Sequence, residues 1–119
     1  MYFRFEKLEV WKLAKDFASK IYGLTKSFPD SERFGMVSQL RRAAISISMN
    51  IAEGFDRKSD ADFIRFLRMS IGSLEEVITV LYIAIDQKYI KSDDFKSAYQ
   101  DTNLLAAKIN ALIKSLQTK

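Results

Sequence analysis

Six of the chain's seven arginines, Arg33, Arg41, Arg42, Arg57, Arg65 and Arg68, fall between residues 33 and 68, whereas every cation beyond Arg68 is a lysine. A guanidinium is planar and carries a fork of donors that matches a phosphate or a carboxylate, so this segment is where anion chemistry would be done. Arg57 and Lys58 stand where a turn leads into a helix, Arg65 and Arg68 are three residues apart on that helix, and Arg41 belongs to the helix before it. These five form the candidate nucleic-acid-binding set, and backbone amides at the helix start add to the attraction for phosphate. A second set, Gln39, Arg42, Ser46, Asn50 and Glu53, recurs at steps of three, four, four and three, which makes one polar stripe along a helix. Such a stripe suits a hydrogen-bonded network between helices or between subunits. Arg42 is expected to pair with Glu75 or Glu76, and Asn50 and Glu53 to satisfy backbone groups near Gly54.

Other chemistry is poorly provided for. The chain has no Cys and no His, which removes disulfides, thiol nucleophiles, zinc sites of the Cys/His type and the commonest general base. A carboxylate di-metal bundle needs Glu-x-x-His pairs, so that constellation is missing, and no metal or other cofactor is expected. Glu75 and Glu76 are adjacent and therefore on different helix faces, while Asp60 and Asp62 read as the acidic first turn of a helix. Gly72-Ser73 lies inside a helix, where the glycine reads as a site of close helix packing and the serine is no nucleophile elbow, because no strand precedes it. The residues point away from an enzyme.

At 119 residues the chain is the size of one domain, able to bury about two-thirds of its unfolded surface. The formal net charge is +4. Residues 1–28 carry six Lys/Arg against three Asp/Glu, residues 29–68 seven against six, and residues 69–119 six against six, so the excess lies in the first half. Charge alone fits a mildly basic, solvated surface as well as one that meets a polyanion such as RNA or DNA. The first residues lack the apolar core of a signal peptide, and no apolar run approaches the roughly 20 residues that span a bilayer. A cytoplasmic protein without a membrane partner is expected.

The elements that position these side chains are helices. One Pro and four Gly punctuate stretches rich in Ala, Leu, Ile, Lys and Glu at helical spacing. Val10, Ala14, Phe17, Ile21, Leu24 and Phe28 share a face, predicting a helix over about 7–27 that Pro29 stops. Val37, Leu40, Ala44, Ile47 and Ile51 predict a second over about 36–54, ended by Gly54. Ser59, with Asp62 three residues on, caps a third over about 60–87, whose seam is Phe63, Leu67, Ser70, Leu74, Val77, Leu81 and Ala84. Ser92 is the expected cap of a fourth over about 92–117, seamed by Phe95, Ala98, Thr102, Leu105, Ile109, Leu112 and Leu116.

Short connections and seams of period near 3.5 predict an all-α, antiparallel, up-down-up-down, left-handed four-helix bundle comprising residues 1–119 as one domain. Helix three is apolar beyond one stripe, nearly without interruption from Val77 to Ile85. A homo-oligomer is expected to cover the second face unless a thick bundle core absorbs it. Among the aromatics, Phe5, Trp11, Tyr22 and Phe55 are candidates for base stacking, with Phe55 in its polar surroundings the best of them.

The segment Gln39-Leu40-Arg41-Arg42-Ala43-Ala44-Ile45-Ser46-Ile47-Ser48-Met49-Asn50-Ile51-Ala52-Glu53-Gly54 resembles the four-helix bundle family encoded within intervening sequences of bacterial 23S ribosomal RNA genes. Leu8-Glu9-Val10-Trp11 and Ala14 upstream, Phe28-Pro29 and Glu32 at the turn, and Phe63 to Leu67, Ile71 to Ser73 and Glu75-Glu76 downstream extend the likeness over most of the chain. That family is similar in turn to the accessory protein of diversity-generating retroelements, a basic barrel that works with a reverse transcriptase and RNA. The resemblance implies a bundle assembling as a ring, a homopentamer, in a nucleic-acid role and without enzymatic activity. The competing expectation is an interaction scaffold whose ring docks a protein partner without nucleic acid.

Overall fold

The computed structural model of the chain describes residues 2–119. After a 3-10 turn at Arg4–Lys7 come four helices: α1 (Glu9–Thr25), α2 (Met36–Phe55), α3 (Asp60–Asp86) and α4 (Ser92–Gln117), with a second 3-10 turn at Asp30–Glu32 between α1 and α2. No strand occurs among the described residues. Each helix touches its neighbours in sequence, and α1 also meets α4, so the four enclose one core as a bundle does. No helix of the described residues is long and apolar enough to cross a membrane.

The seams bury as their spacing requires. Val10, Ala14, Phe17 and Ile21 of α1, all five seam residues of α2 and all seven of α3 are buried. In α4 the last turns rotate slightly, so that Ile113 enters the core and Leu112 stays half-buried. Ser70, a polar residue on the seam, is fully buried because its hydroxyl donates to the Ile47 carbonyl of α2 at 2.9 Å. The apolar run of α3 is mostly absorbed by this core. Val77, Val80, Leu81 and Ala84 are buried, and only Tyr82 (48%) and Ile83 (45%) remain substantially exposed, on different sides of the helix. Tyr82 joins Phe95 and Tyr99 of α4 in an aromatic cluster, so the run by itself does not demand a partner.

The helix ends depart from the expected chemistry at two places. Gly54 does not terminate α2; it is buried inside the helix at negative φ, and a Cβ there would lie 2.5 Å from the Phe66 Cβ and 3.1 Å from Phe63 Cδ1. It is a point of close approach between α2 and α3. Ser92 is the first residue of α4 and not its cap; Lys91 precedes the helix with no side-chain cap bond, while Asp93 and Asp94 stand against the positive helix end. The start of α2, at Met36, is closed by Glu32, whose Oε1 accepts from the Met36 amide at 3.3 Å.

Between α3 and α4 the chain turns through Lys88, a non-glycine residue at φ 64°. The Tyr89 amide donates to the Ala84 carbonyl and the Lys88 amide to the Ile85 carbonyl, the paired bonds of a Schellman motif, which ordinarily places glycine at this position. A side chain there is disfavoured in the left-handed region, so Lys88→Gly should raise stability by about 0.5–1 kcal/mol in a urea titration. An unchanged midpoint would show that the turn carries no such strain.

Tyr89, next in the chain, donates its hydroxyl to Glu32 Oε2 at 3.2 Å, tying the α3–α4 connection to the start of α2. Burial, and then the adjacent Glu32 carboxylate, push the phenol above its ordinary value of 10.0. The folded chain therefore keeps this proton at a pH where the unfolded chain has lost it. The contribution to stability is complete below about pH 10 and is lost as the pH climbs through the raised value. Melting curves from neutral to alkaline pH should show wild type losing its advantage over Tyr89→Phe above about pH 10. A constant difference would refute the coupling.

Candidate nucleic-acid interface

The α2–α3 turn brings two of the five candidates onto one aromatic ring. The Arg57 guanidinium lies over the Phe66 ring at 4.9 Å from its centroid and that of Arg65 at 4.6 Å, so the two cations are no more than about 9.5 Å apart. Phe66 is buried and pressed by Gly54, which makes it a rigid base for both. Arg57 also pairs with Glu53 at 2.8 Å, and Arg65 with Asp62 at 3.6 Å. Both pairs are solvent-exposed, where an ion pair contributes little and a phosphate can compete for the cation. Lys58 and Arg68 are exposed, and neither forms an ion pair among the described residues.

Two cations at this end were not singled out by the sequence. Arg4, from the N-terminal 3-10 turn, sits over the Phe55 ring at 5.0 Å, and Lys119 at the C-terminus pairs with Asp60 at 3.8 Å. No local pattern connects positions 4 and 119 to residue 57; only the packing of the chain ends beside the α2–α3 turn does. Phe55 is correspondingly not a free stacking platform, being half-buried against Phe63 at 5.6 Å and covered by Arg4. Phe5 and Trp11 pack on each other at 5.0 Å, and Tyr22 lies under Arg41. The anion-binding potential of the α3 N-terminus is likewise already engaged. Ser59 accepts from the Asp62 amide, and Asp60 and Asp62 occupy the first turn. Phosphate contacts at this end therefore rest on side chains.

Arg41 does not join this group. It stands fourteen residues before Phe55 on α2, roughly 20 Å along the helix. Its Nε donates to Thr25 Oγ1 at 2.9 Å, and its guanidinium covers the Tyr22 ring at 4.4 Å, so it closes the C-terminal end of α1, where a cation offsets the helix dipole. There it belongs to a second basic surface, an open groove of about 800 Å³ along the outer face of α2. Arg33, Arg41 and Arg42 line this groove together with Phe34, Met49 and Met69, which are 89%, 61% and 47% exposed.

The polar stripe of α2 is only partly a network within the chain. Asn50 Nδ2 donates to the Ser46 carbonyl at 2.9 Å and to its hydroxyl at 3.0 Å, and Ser73 of α3 donates to the same hydroxyl at 3.0 Å. Glu53 turns to Arg57 and not to the backbone near Gly54. The expected bond from Arg42 to Glu75 or Glu76 does not form; among the described residues none of the three makes an ion pair. Arg42 points outward from α2, and Glu76 outward from α3.

Comparison with known proteins agrees with this architecture. A sequence profile described as 23S rRNA-intervening sequence protein matches residues 6–111. A 1.70 Å crystal structure of a protein with unknown function from the S23 ribosomal protein family of Bacteroides thetaiotaomicron VPI-5482 superimposes with a TM-score of 0.81 at 28% identity, covering 88% of this chain and 98% of that one. No curated protein matches the chain. The resemblance carried by Gln39 to Gly54 thus extends over nearly the whole chain, in sequence and in fold, and the chain belongs to the 23S rRNA-intervening sequence protein family.

Proposed function

We propose that this protein is a non-enzymatic, cytoplasmic, homo-oligomeric nucleic-acid-binding protein in which one-domain bundles assemble into a pentameric ring and hold RNA through the α2–α3 end. The observation that carries this reading is the pair Arg57 and Arg65 held on the Phe66 ring, with exposed Lys58 next to Arg57 in the chain and exposed Arg68 three residues after Arg65. Side chains fixed on a rigid base lose little entropy on meeting a phosphate, and a ring repeats the group once per subunit, so modest contacts sum to a firm grip. The family's link to intervening sequences of 23S rRNA points to RNA as the polyanion.

An up-down-up-down course is supported by the pairing of Gly54 with Phe66, Ile47 with Ser70 and Ser46 with Ser73, in which numbers rise along α2 as they fall along α3. The left-handed crossing follows from the seam period.

Two measurements test the reading. Light scattering should give several times the 13.7 kDa monomer mass, and a mass near the monomer would end the ring. Titration of fluorescent structured and single-stranded RNA at about 50 mM salt should show binding that weakens steeply with added salt, and absence of binding to both would end the RNA reading. The second reading, a scaffold for a protein partner, draws on the exposed aromatic cluster of Tyr82, Phe95 and Tyr99. A protein recovered specifically by wild type and lost with Tyr82→Ala, in the absence of RNA binding, would favour it.

A further inference from the structure

Two neighbouring outer faces of the bundle carry opposite charge and leave it uncompensated. The α2 groove presents Arg33, Arg41 and Arg42 around exposed Phe34, Met49 and Met69, and its single carboxylate, Glu53, is already held by Arg57. Beside it, the outer face of α3 borders a second groove of about 590 Å³, lined by Glu32, Glu75, Glu76 and the exposed Ile83 and by no lysine or arginine. Among the described residues Arg42 has no carboxylate partner, and Glu75 and Glu76 have no cation.

On the same face of α3 lies Gly72, exposed in the middle of a 27-residue helix, where an added Cβ would meet nothing within 4 Å. The close helix packing that its position suggested is not made within the chain. A glycine at an exposed interior helix position weakens the helix and has no use to a lone bundle, whereas it lets a second backbone approach.

We propose that successive copies in the ring meet through these two surfaces, the α2 groove of one copy receiving the outer face of α3 of the next, with Arg42 paired to the next copy's Glu76 across the joint. This rests on the ring assembly proposed above. A closed ring needs two different, mutually complementary surfaces on each subunit, which is what the two faces offer. They are also at matching height. Ser46 and Ser73 are bonded to each other, and Arg42 and Glu76 each lie about one turn from that bond towards the same end of the bundle. Rotation about an axis along the bundle therefore brings one level with the other. A nucleic-acid strand would leave the apolar floor of the groove unused, whereas the α3 face supplies Ile83 and Thr79 to cover it along with the missing carboxylates.

Light scattering on charge reversals tests the joint. Arg42→Glu and Glu76→Arg should each shift the mass toward the 13.7 kDa monomer with helix content unchanged by circular dichroism, and the double reversal should restore the wild-type mass. Should a reversal fail to fold, cysteine substitution gives an independent reading, because the native chain has no cysteine. A mixture of Arg42→Cys and Glu76→Cys chains should form oxidised dimers that neither chain forms alone. A multimeric wild type whose mass survives both reversals, or a mixture that does not cross-link, overturns this pairing and leaves the ring standing. A monomeric wild type overturns both.

Discussion

Gly54→Ala should lower the melting temperature by roughly 5–10 °C, the reverse of what the same substitution does at an open helix position. In a typical helix the change adds about 1 kcal/mol of helix propensity. Here the added Cβ would lie 2.5 Å from the Phe66 Cβ and 3.1 Å from Phe63 Cδ1. Phe66 Cβ is attached directly to the α3 backbone and cannot swing aside, so the helices themselves must separate along their most extensive contact. Overpacking of this kind costs about 1–3 kcal/mol, and at the upper end it outweighs the propensity gain. A net loss of 1–2 kcal/mol corresponds to roughly that temperature shift for a chain of this length.

Gly23→Ala is the control. Gly23 lies in α1 with nothing within 4 Å of an added Cβ, and the substitution should raise the melting temperature by a few degrees, roughly the propensity gain alone. If both variants gain stability, the close approach of α2 and α3 at Gly54 is not as tight as described. The same displacement would move Phe66, on which Arg57 and Arg65 rest, so a folded Gly54→Ala protein should also bind RNA more weakly.

The second large effect concerns the arginines. Replacing Arg57, Lys58, Arg65 and Arg68 together by Gln should weaken RNA binding by about 100-fold or more at about 50 mM salt and lower the slope of log affinity against log salt by about 3 for each subunit that contacts the strand. The slope follows from counterion release, since each phosphate neutralised on a single strand contributes about 0.7. All four side chains are exposed and their ion pairs are weak ones, so the variant should melt close to wild type.

A charge-matched control removes Lys88, Lys91, Lys96 and Lys114, which lie on α4 and the turn before it. If net charge alone drove binding, both quadruple variants would lose the same affinity and slope. If the α2–α3 end is the contact surface, the lysine variant stays near wild type. Equal losses would reject the named surface, and unchanged binding in both would place the site elsewhere on the molecule.

The four helices were legible because helix formation and burial are local and periodic. The steps of three and four that join Val37 to Ile51 or Phe63 to Ala84 state which face turns inward before any partner is known, and Ser59 with Asp62 marks the start of α3. The family likeness was legible for the same reason, being a run of residue types along the chain.

What the sequence could not decide depends on how far one helix is rotated and slid against another. Gly54 reads equally well as a helix terminator or as a contact point, and only the position of Phe66 makes it the latter. Lys88 occupies a glycine position that no residue type announces, because the bonds from Tyr89 and Lys88 back to α3 impose it. Arg41 and Arg57 look alike on a list of cations, yet the bundle carries one to the end of α1 and the other to Phe66. The missing partner of Arg42 is the strongest case. Spacing places Arg42 and Glu76 on helices that touch, but each points outward from its own helix, so one chain cannot join them. Side-chain direction is a property of the packed bundle, and it is this that leaves Arg42 and Glu76 exposed on its surface.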